Sequence, residues 1–227
     1  MTKLERLFVW AGGAAFVGTL ALTAWWFAVE WARVEPFTGW TSAAIDLVLF
    51  AAFALHHSLF ARSAVKQALA AIIPEALLRS CYVWLASALL ALVLSGWQVV
   101  GGVVYHTGSW LSWIHHAIQL VGVLLIAGAV RAIDPLELAG IRKESTAQDL
   151  QTRGPYHLVR HPLYLGWLLI VFGPALMTGD RLTFAIITSV YLFIAVPWEE
   201  RSLEQAFGPQ YRRYKEEVRW RIVPFLY

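Results

Sequence analysis

The sequence predicts an all-α, polytopic membrane protein with about six transmembrane helices and cytoplasmic amphipathic helices at its C-terminal end. Hydrophobic residues make up 59% of the 227 residues and charged residues only 15%, whereas about a quarter of the residues in an ordinary soluble domain are charged. Long uncharged stretches follow one another along the chain, and Lys and Arg collect between alternate stretches. These observations exclude a soluble globular domain.

The predicted spans are uncharged stretches that can cross a bilayer as helices, in which each residue adds about 1.5 Å. The stretch from 80 to 130 is too long for one crossing, and glycine-containing turns at 101–102 and 107–109 divide it in two. The first span is expected to be retained rather than removed as a signal peptide, because no small-residue cleavage site stands out. The six predicted spans are 7–29, 47–61, 80–100, 110–130, 162–179 and 182–198.

The distribution of basic residues predicts the orientation. With the N-terminus in the cytoplasm, 16 of the 18 Lys and Arg residues fall on the cytoplasmic side, and only Arg33 and Arg181 fall on the far side. We therefore expect both termini in the cytoplasm; the bacterial inner membrane as the location is implied by the resemblance described below. The net charge of +3 then indicates attraction to anionic lipid headgroups, and no nucleic-acid partner is expected. The single cysteine, Cys81, leaves no disulfide and no cysteine-based cluster, and no metal site is predicted.

Two regions are expected, a four-helix transmembrane region at 1–130 and a catalytic region at 131–227. The catalytic region begins with a cytoplasmic loop at 131–161, which is longer than most loops in compact domains and is therefore typical of a functional segment. A Thr-x-x-Asp sequence within this loop resembles a helix cap. It predicts a short interfacial helix at 146–152.

The C-terminal tail has an amphipathic pattern. Leu203, Phe207, Tyr211 and Tyr214 recur at helical spacing, and charged residues occupy the positions between them. A Gly-Pro sequence at 208–209 interrupts the run. The tail is therefore predicted to form two short helices at the membrane surface.

Two polar clusters lie at the cytoplasmic ends of the last two spans. The first, RGPYHLVRHPLYLGW at 153–167, places two arginines, two histidines and two tyrosines against the start of an apolar span. The second, PWEERSLEQAFGPQYRRYKEEV at 197–218, follows the next span, so both clusters lie on one face of the membrane. Because such side chains are costly at a membrane boundary, their concentration predicts a site.

The first cluster has the features of an anion site. Pro162 suits the first turn of a helix, where its missing N–H is not needed, so the fifth span is expected to begin there. The N-terminus of that helix has unpaired N–H groups and a partial positive charge, and Arg160 and His161 precede it. These groups predict a site for a carboxylate or a phosphate. Tyr164 can stack on a flat ring, and Gly166 would let a ligand approach the backbone closely.

The second cluster adds Glu199 and Glu200, which face this site across the predicted hairpin. They offer acceptors for ribose hydroxyls or for a cation, and the combined site suits a ligand with an anionic end, an aromatic part and a positive centre. A structural interpretation also remains open. In that case Arg160 and His161 anchor a helix at the headgroups, and the glutamates pair with Arg160 or Arg201.

Several of these residues form a recognisable pattern. It comprises Gly154-Pro155-Tyr156, Arg160-His161-Pro162 with Tyr164 and Gly166, Glu199-Glu200-x-x-Leu203, and Phe207-Gly208-x-x-Tyr211-x-x-Tyr214. Its order and spacing resemble the signature of integral-membrane methyltransferases, namely the isoprenylcysteine carboxyl methyltransferases and the phospholipid N-methyltransferases. The segments 56–86, 101–106 and 134–142 are more similar to the bacterial branch that contains methanethiol S-methyltransferase.

The resemblance implies S-adenosylmethionine (SAM) as the cofactor, held by the last two spans and the tail. The pocket residues that it implies are Tyr156, His161, Pro162, Leu163, Tyr164 and Gly166, with Glu199 or Glu200 on the polar groups of the cofactor. Arg160 would contact the cofactor carboxylate or an anionic acceptor, so Arg160 and Glu200 are the expected catalytic residues. His157 is available as a base or is a structural residue at the interface.

The implied reaction is methyl transfer to an acceptor that enters from the bilayer. A lipid-like or small hydrophobic acceptor is expected, either a prenylcysteine-like carboxylate or a thiol. The expected partners are therefore the membrane bilayer and this acceptor.

An alternative function is electron transfer by a membrane b-type cytochrome. His56 and His57 lie in the second predicted span, and His115 and His116 lie in the fourth. Paired intramembrane histidines on neighbouring helices can ligate haem. The structural interpretation is that these histidines hydrogen-bond to nearby serines or to the backbone.

Overall fold

The computed structural model describes residues 1–60, 62–133, 135–142 and 150–227. The elements along the chain are α1 (Lys3–Ala28), α2 (Trp40–Phe60), α3 (Ser63–Ala70), α4 (Glu75–Gly96), β1 (Val103–His106), α5 (Trp110–Ala132), α6 (Pro135–Leu138), α7 (Pro162–Phe172), β2 (Leu176–Thr178), α8 (Gly179–Phe207) and α9 (Pro209–Glu217). The described residues form two compact units, 1–102 with 135–142 and 103–133 with 150–227. The functional boundary at 130 stays a prediction, and the helix predicted at 146–152 lies largely outside the described residues.

Long apolar helices dominate both units. Among the described residues, five helical segments are long enough and apolar enough to cross a membrane: Lys3–Ala32, Trp40–Phe60, Glu75–Gly96, Trp110–Ala132 and Gly179–Phe207. The chain is therefore an all-α polytopic membrane protein, as its composition predicts. The number of six spans and the orientation in the membrane stay predictions.

The first unit is organised around α4, which packs against both α1 and α2. α1 begins with a capping box, in which the side chains of Thr2 and Glu5 each accept a hydrogen bond from the backbone N–H of the other. α2 begins at Trp40, seven residues before the predicted span, so it includes a buried carboxylate, Asp46. Asp46 Oδ1 accepts a hydrogen bond from the backbone N–H of Gln98 at 2.8 Å, so the charge has a polar partner inside the unit.

The predicted fifth span, 162–179, is built differently from the others. α7 has 11 residues, a length of about 16 Å at 1.5 Å per residue, and the chain then forms β2, which pairs antiparallel with β1. Gln119 Nε2 of α5 donates to the carbonyl oxygen of Ile170 at 3.1 Å, and His115 Nδ1 lies 3.0 Å from the carbonyl oxygen of Gly173. These contacts satisfy carbonyl groups where α7 ends, as apolar surroundings require.

α5 and α7 pack closely at a pair of glycines. A Cβ atom placed on Gly122 would lie 2.7 Å from the carbonyl oxygen of Gly166, and one placed on Gly166 would lie 2.7 Å from the carbonyl oxygen of Gly122. Such close backbone contact is typical of small residues at helix crossings in membranes. The crossing fixes α7 against α5.

The last long helix, α8, continues well beyond the predicted span. Leu203 and Phe207 lie on its final turns, and Gly208, with a φ of 50°, begins the turn into α9. Tyr211 and Tyr214 lie on α9, where they are buried. After α8 the tail therefore contains one short helix in place of the two that the sequence predicts.

Candidate functional site

The site forms around the start of α7, which begins at Pro162 as predicted. Residues 154–157 form a single 3₁₀ turn before it. The backbone N–H groups of Arg160 and His161 donate to the carbonyl oxygens of Trp220 and Arg221, at 2.9 and 2.8 Å. The tail therefore pairs with the chain directly before α7 and fixes the two residues of the predicted anion site.

A buried ion network connects α7, α8 and the tail. Arg160 Nε donates to Glu200 Oε1 at 2.7 Å, and the side chains of both residues are over 90% buried. Arg160 Nη1 donates to the carbonyl oxygens of Val218 and Arg219, at 2.8 Å each. Glu200 Oε2 lies 3.2 Å from Arg221 Nε. Glu200 therefore uses both of its oxygens on arginines of the protein, which is the structural interpretation that the sequence left open.

Glu199 has a different environment from its neighbour Glu200. Its side chain is 44% exposed, and its Oε2 accepts a hydrogen bond from the hydroxyl group of Tyr164 at 2.6 Å. The ring of His161 stacks on the ring of Tyr164, with 5.3 Å between centroids and 11° between planes. His161 Nδ1 lies 3.6 Å from Glu199 Oε2 and Nε2 lies 3.4 Å from Glu200 Oε1, so the buried imidazole lies between the two carboxylates.

These groups line an open cleft with about 750 Å³ of empty space, including its mouth. The lining residues are Ile133, Leu150, Gln151, Tyr156, Arg160, His161, Pro162, Leu163, Tyr164, Glu199, Leu203, Phe207, Tyr211 and Tyr214. Seven of the nine predicted site residues are among them, and the two exceptions are Gly166 and Glu200. Gly166 instead packs against Gly122 of α5, and Glu200 lies in the ion network behind the wall.

The tail was expected to help hold the cofactor, but its individual residues were not assigned to the site. The lining residues without an assignment are Leu203, Phe207, Tyr211 and Tyr214 in the tail and Ile133, Leu150 and Gln151 before α7. Tyr211 and Tyr214 are 1% and 4% exposed, and they pack with Leu203 and Phe207. The hydroxyl group of Tyr214 donates to the carbonyl oxygen of Tyr156 at 2.8 Å, which joins α9 to the 3₁₀ turn. Two signals in the sequence pointed to these tail residues, namely their helical spacing and their place in the methyltransferase-like pattern, but neither assigned a contact to any one of them.

The tyrosines of the cleft remain protonated at physiological pH. Burial, followed by the negative charge of Glu199, raises the pKa of Tyr156 to about 12. Burial also raises the pKa of Tyr211 and of Tyr214 well above the ordinary value for tyrosine. These side chains therefore offer neutral rings and hydroxyl groups.

Two buried polar atoms at the cleft lack a hydrogen-bond partner within the described residues. They are Nε2 of His161 and the hydroxyl oxygen of Tyr211. Buried polar atoms normally have partners, so unpaired ones are typical of sites that a ligand or water completes.

Two of the intramembrane histidines, His57 and His115, have polar partners within their own units. His57 Nδ1 of α2 forms a hydrogen bond with the hydroxyl group of Tyr82 on α4, and His115 interacts with the carbonyl group of Gly173. His157 is exposed and is not among the lining residues. The described residues contain no group of three or more His, Cys, Asp or Glu side chains that could hold a metal ion.

Comparison with known proteins gives a consistent set of similarities. The phospholipid methyltransferase family model matches residues 97–210. Methanethiol S-methyltransferase 2 of Bradyrhizobium diazoefficiens is 34% identical over 81% of this chain and 73% of its own length. Methanethiol S-methyltransferase of Crocosphaera subtropica is 31% identical over 82% of this chain and 76% of its own length.

A plant protein is more distantly similar. Protein-S-isoprenylcysteine O-methyltransferase B of Arabidopsis thaliana is 28% identical over 57% of this chain and 70% of its own length. No solved structure matches the chain.

Proposed function

The chain belongs to the phospholipid methyltransferase family of integral-membrane methyltransferases, and we propose that its cleft binds SAM and methylates a small hydrophobic thiol. The observation that carries the proposal is the cleft itself, in which neutral aromatic rings, a partly exposed carboxylate and a helix N-terminus converge. SAM has complementary groups, namely a flat base, a ribose diol, a sulfonium centre and a carboxylate.

The residues of the cleft fit this cofactor. The rings of Tyr156 and Tyr164 can stack on a base or lie against a sulfonium, because aromatic faces attract cations. Glu199 is the carboxylate best placed for the ribose hydroxyls, since it is partly exposed and is oriented by Tyr164. The hydroxyl group of Tyr211, which has no hydrogen-bond partner within the described residues, supplies a further place for a hydrogen bond. SAM, when bound, supplies an electrophilic methyl group.

The anionic end of the cofactor fits the start of α7. Arg160 Nε and Nη1 donate to groups of the protein. The positive charge of Arg160 is therefore largely neutralised by Glu200 and contributes little to binding the cofactor carboxylate. The N-terminus of α7 adds a partial positive charge and begins at Pro162, next to the cleft. We therefore assign recognition of the carboxylate to the helix terminus, and we assign Arg160 to holding that terminus in place.

The apolar part of the cleft suits a small hydrophobic acceptor. Ile133, Leu150, Leu163 and Phe207 line it beside the polar groups. Methyl transfer from a sulfonium is an in-line displacement, so the protein contributes by aligning the acceptor and excluding water. The relatives named methanethiol S-methyltransferase support a thiol in this place, because they are similar over about four-fifths of the chain. A thiol reacts as its thiolate, after losing its proton to water. The thiolate sulfur would form a bond to the methyl carbon as the bond between that carbon and the sulfonium sulfur breaks, and S-adenosylhomocysteine would be the leaving group.

The proposed location is the bacterial inner membrane, with both termini and the cleft on the cytoplasmic side. The support for this orientation is the concentration of 16 of the 18 basic residues on one side of the predicted spans. Cytoplasmic SAM would then reach the cleft directly, and a hydrophobic acceptor would enter from the bilayer.

The test is an acceptor screen with the purified protein in detergent. SAM with a deuterated methyl group is incubated with small thiols, prenylcysteine analogues or membrane lipids, and the products are analysed by mass spectrometry. We expect a deuterated methyl thioether from small thiols, and strongly reduced product with Glu199→Gln. If only prenylcysteine analogues or only lipids gave a product, that class of compound would replace the thiol as the proposed acceptor. No product, together with no calorimetric binding of S-adenosylhomocysteine at millimolar concentration, would overturn the methyltransferase proposal.

A further inference from the structure

The family match ends at residue 210, but the structure continues to build the site after that point. Residues 218–227, which we call the tail loop, supply four carbonyl contacts to the two residues before α7. The backbone N–H groups of Arg160 and His161 donate to Trp220 and Arg221, and Arg160 Nη1 donates to Val218 and Arg219. The tail loop therefore holds part of the cleft wall through its backbone.

The tail loop is itself held in a closed shape. The backbone N–H groups of Arg221, Ile222 and Val223 all donate to the backbone oxygen of Tyr227, at 2.9, 2.9 and 3.1 Å. Ile222 is fully buried in a hydrophobic cluster with residues that flank the start of α7. The ring of Tyr227 lies 5.3 Å from the ring of Phe193 on α8. The loop is thus fixed to both helices that carry the cleft.

Arg221 connects this loop to the buried ion network. Its Nε lies 3.2 Å from Glu200 Oε2, and its Nη1 donates to the hydroxyl group of Tyr227 at 2.9 Å. The other oxygen of Glu200 accepts from Arg160 and lies 3.4 Å from His161. One carboxylate therefore joins the tail loop to two residues of the cleft wall.

We infer that Arg221 is a positioning residue of the cleft, which acts through Glu200 to hold Arg160 and His161 in the geometry that binds the cofactor. The inference rests on the proposed function. Arg221 itself is not among the residues that line the cleft. Its guanidinium presents several donors in a fixed planar arrangement, so it can contact Glu200 and Tyr227 at once, whereas a lysine ammonium is a point charge on a flexible stem.

The test measures S-adenosylhomocysteine binding by calorimetry for the full-length protein in detergent, well below its melting temperature. Arg221→Gln is expected to raise the Kd about tenfold, the effect of losing one charge-assisted hydrogen bond. Arg221→Lys should recover part of that loss. Arg213→Gln is the matched control, because Arg213 is an exposed arginine on α9 and its replacement removes the same charge. That variant should bind like the wild type.

A double-mutant cycle with Glu200→Gln separates positioning from general stability. If Arg221 acts through Glu200, Arg221→Gln should have almost no further effect on the Kd in the Glu200→Gln protein. If the two substitutions raise the Kd by factors that multiply in the double mutant, the inference is overturned. An unchanged Kd in Arg221→Gln, or an equal loss of affinity in Arg213→Gln, would also overturn it. A wild-type protein that binds no S-adenosylhomocysteine would instead overturn the proposed function.

Discussion

The different environments of Glu199 and Glu200 lead to a prediction about two substitutions of the same chemistry. Glu200→Gln removes the negative charge between Arg160 and Arg221, and Arg160 is then left buried without its counter-ion. Breaking such a pair typically costs about 3–5 kcal/mol of folding free energy. At about 2–4 °C per kcal/mol, the melting temperature should fall by roughly 6–20 °C.

Glu199→Gln should behave in the opposite way. The side chain of Glu199 is 44% exposed, and glutamine can still accept the hydrogen bond from Tyr164. The loss of stability without cofactor should therefore stay under about 1 kcal/mol. Affinity for the cofactor should fall about tenfold, or about 1.4 kcal/mol, because a hydrogen bond to a charged acceptor becomes one to a neutral acceptor.

The assay is the melting temperature in detergent, with and without S-adenosylhomocysteine, together with the calorimetric Kd of each variant. Glu200→Gln should melt early and should also bind less well, because Glu200 holds the cleft wall. Glu199→Gln should melt like the wild type without ligand and show a reduced ligand-induced shift. The reasoning is refuted if Glu199→Gln is the less stable variant, or if Glu200→Gln melts like the wild type.

Further outcomes follow from individual contacts. Tyr214→Phe should lower stability by about 1–2 kcal/mol, because it leaves the carbonyl group of Tyr156 without its partner, whereas Tyr211→Phe should leave the melting temperature of the free protein unchanged or higher. A fall for Tyr211→Phe that equals the fall for Tyr214→Phe would contradict this. Burial, followed by the charge of Glu199, raises the pKa of Tyr156 to about 12, so its stabilising contribution should be complete below about pH 10 and decline as the pH rises towards 12. The near-ultraviolet absorbance of tyrosinate should show this late ionisation, and Tyr156→Phe should remove the part of it near pH 12, because Tyr211 and Tyr214 ionise at still higher pH; a titration complete near pH 10 would be inconsistent with the burial. The purified protein should lack a Soret band, because the chain belongs to a methyltransferase family; an intense band that disappears in His115→Ala would favour the cytochrome.

The sequence was sufficient to predict the fold class, because the length of the apolar stretches and the uneven distribution of basic residues are properties of whole segments and not of single contacts. It was less reliable at the ends of helices. The predicted second span began after Asp46, since charges were used as boundaries, but the helix begins at Trp40 and includes that residue. A carboxylate inside a helix is possible when a partner distant in sequence satisfies it, here the backbone N–H of Gln98. Such partners are not visible in hydropathy.

The sequence predicted that the site residues lie close together, but it did not predict which of them line the cleft. Glu199 and Glu200 are adjacent and chemically identical, and neighbouring residues of a helix point about 100° apart. One therefore lies at the cleft and the other lies behind it, and the pattern alone could not decide which. Gly166 likewise had two physical explanations, close approach of a ligand or close approach of a helix, and the structure places it at a helix crossing.

The glycine contact between α5 and α7 offers a way to alter acceptor size without changing a residue that lines the cleft. A methyl group at Gly122 would lie 2.7 Å from the carbonyl oxygen of Gly166, so the helices would have to separate by roughly half an ångström or more in a closely packed region. Pro162, Leu163 and Tyr164 belong to α7 and would shift with it. Substitutions at Gly122 are therefore expected to change the width of the cleft while the chemical groups that line it stay the same.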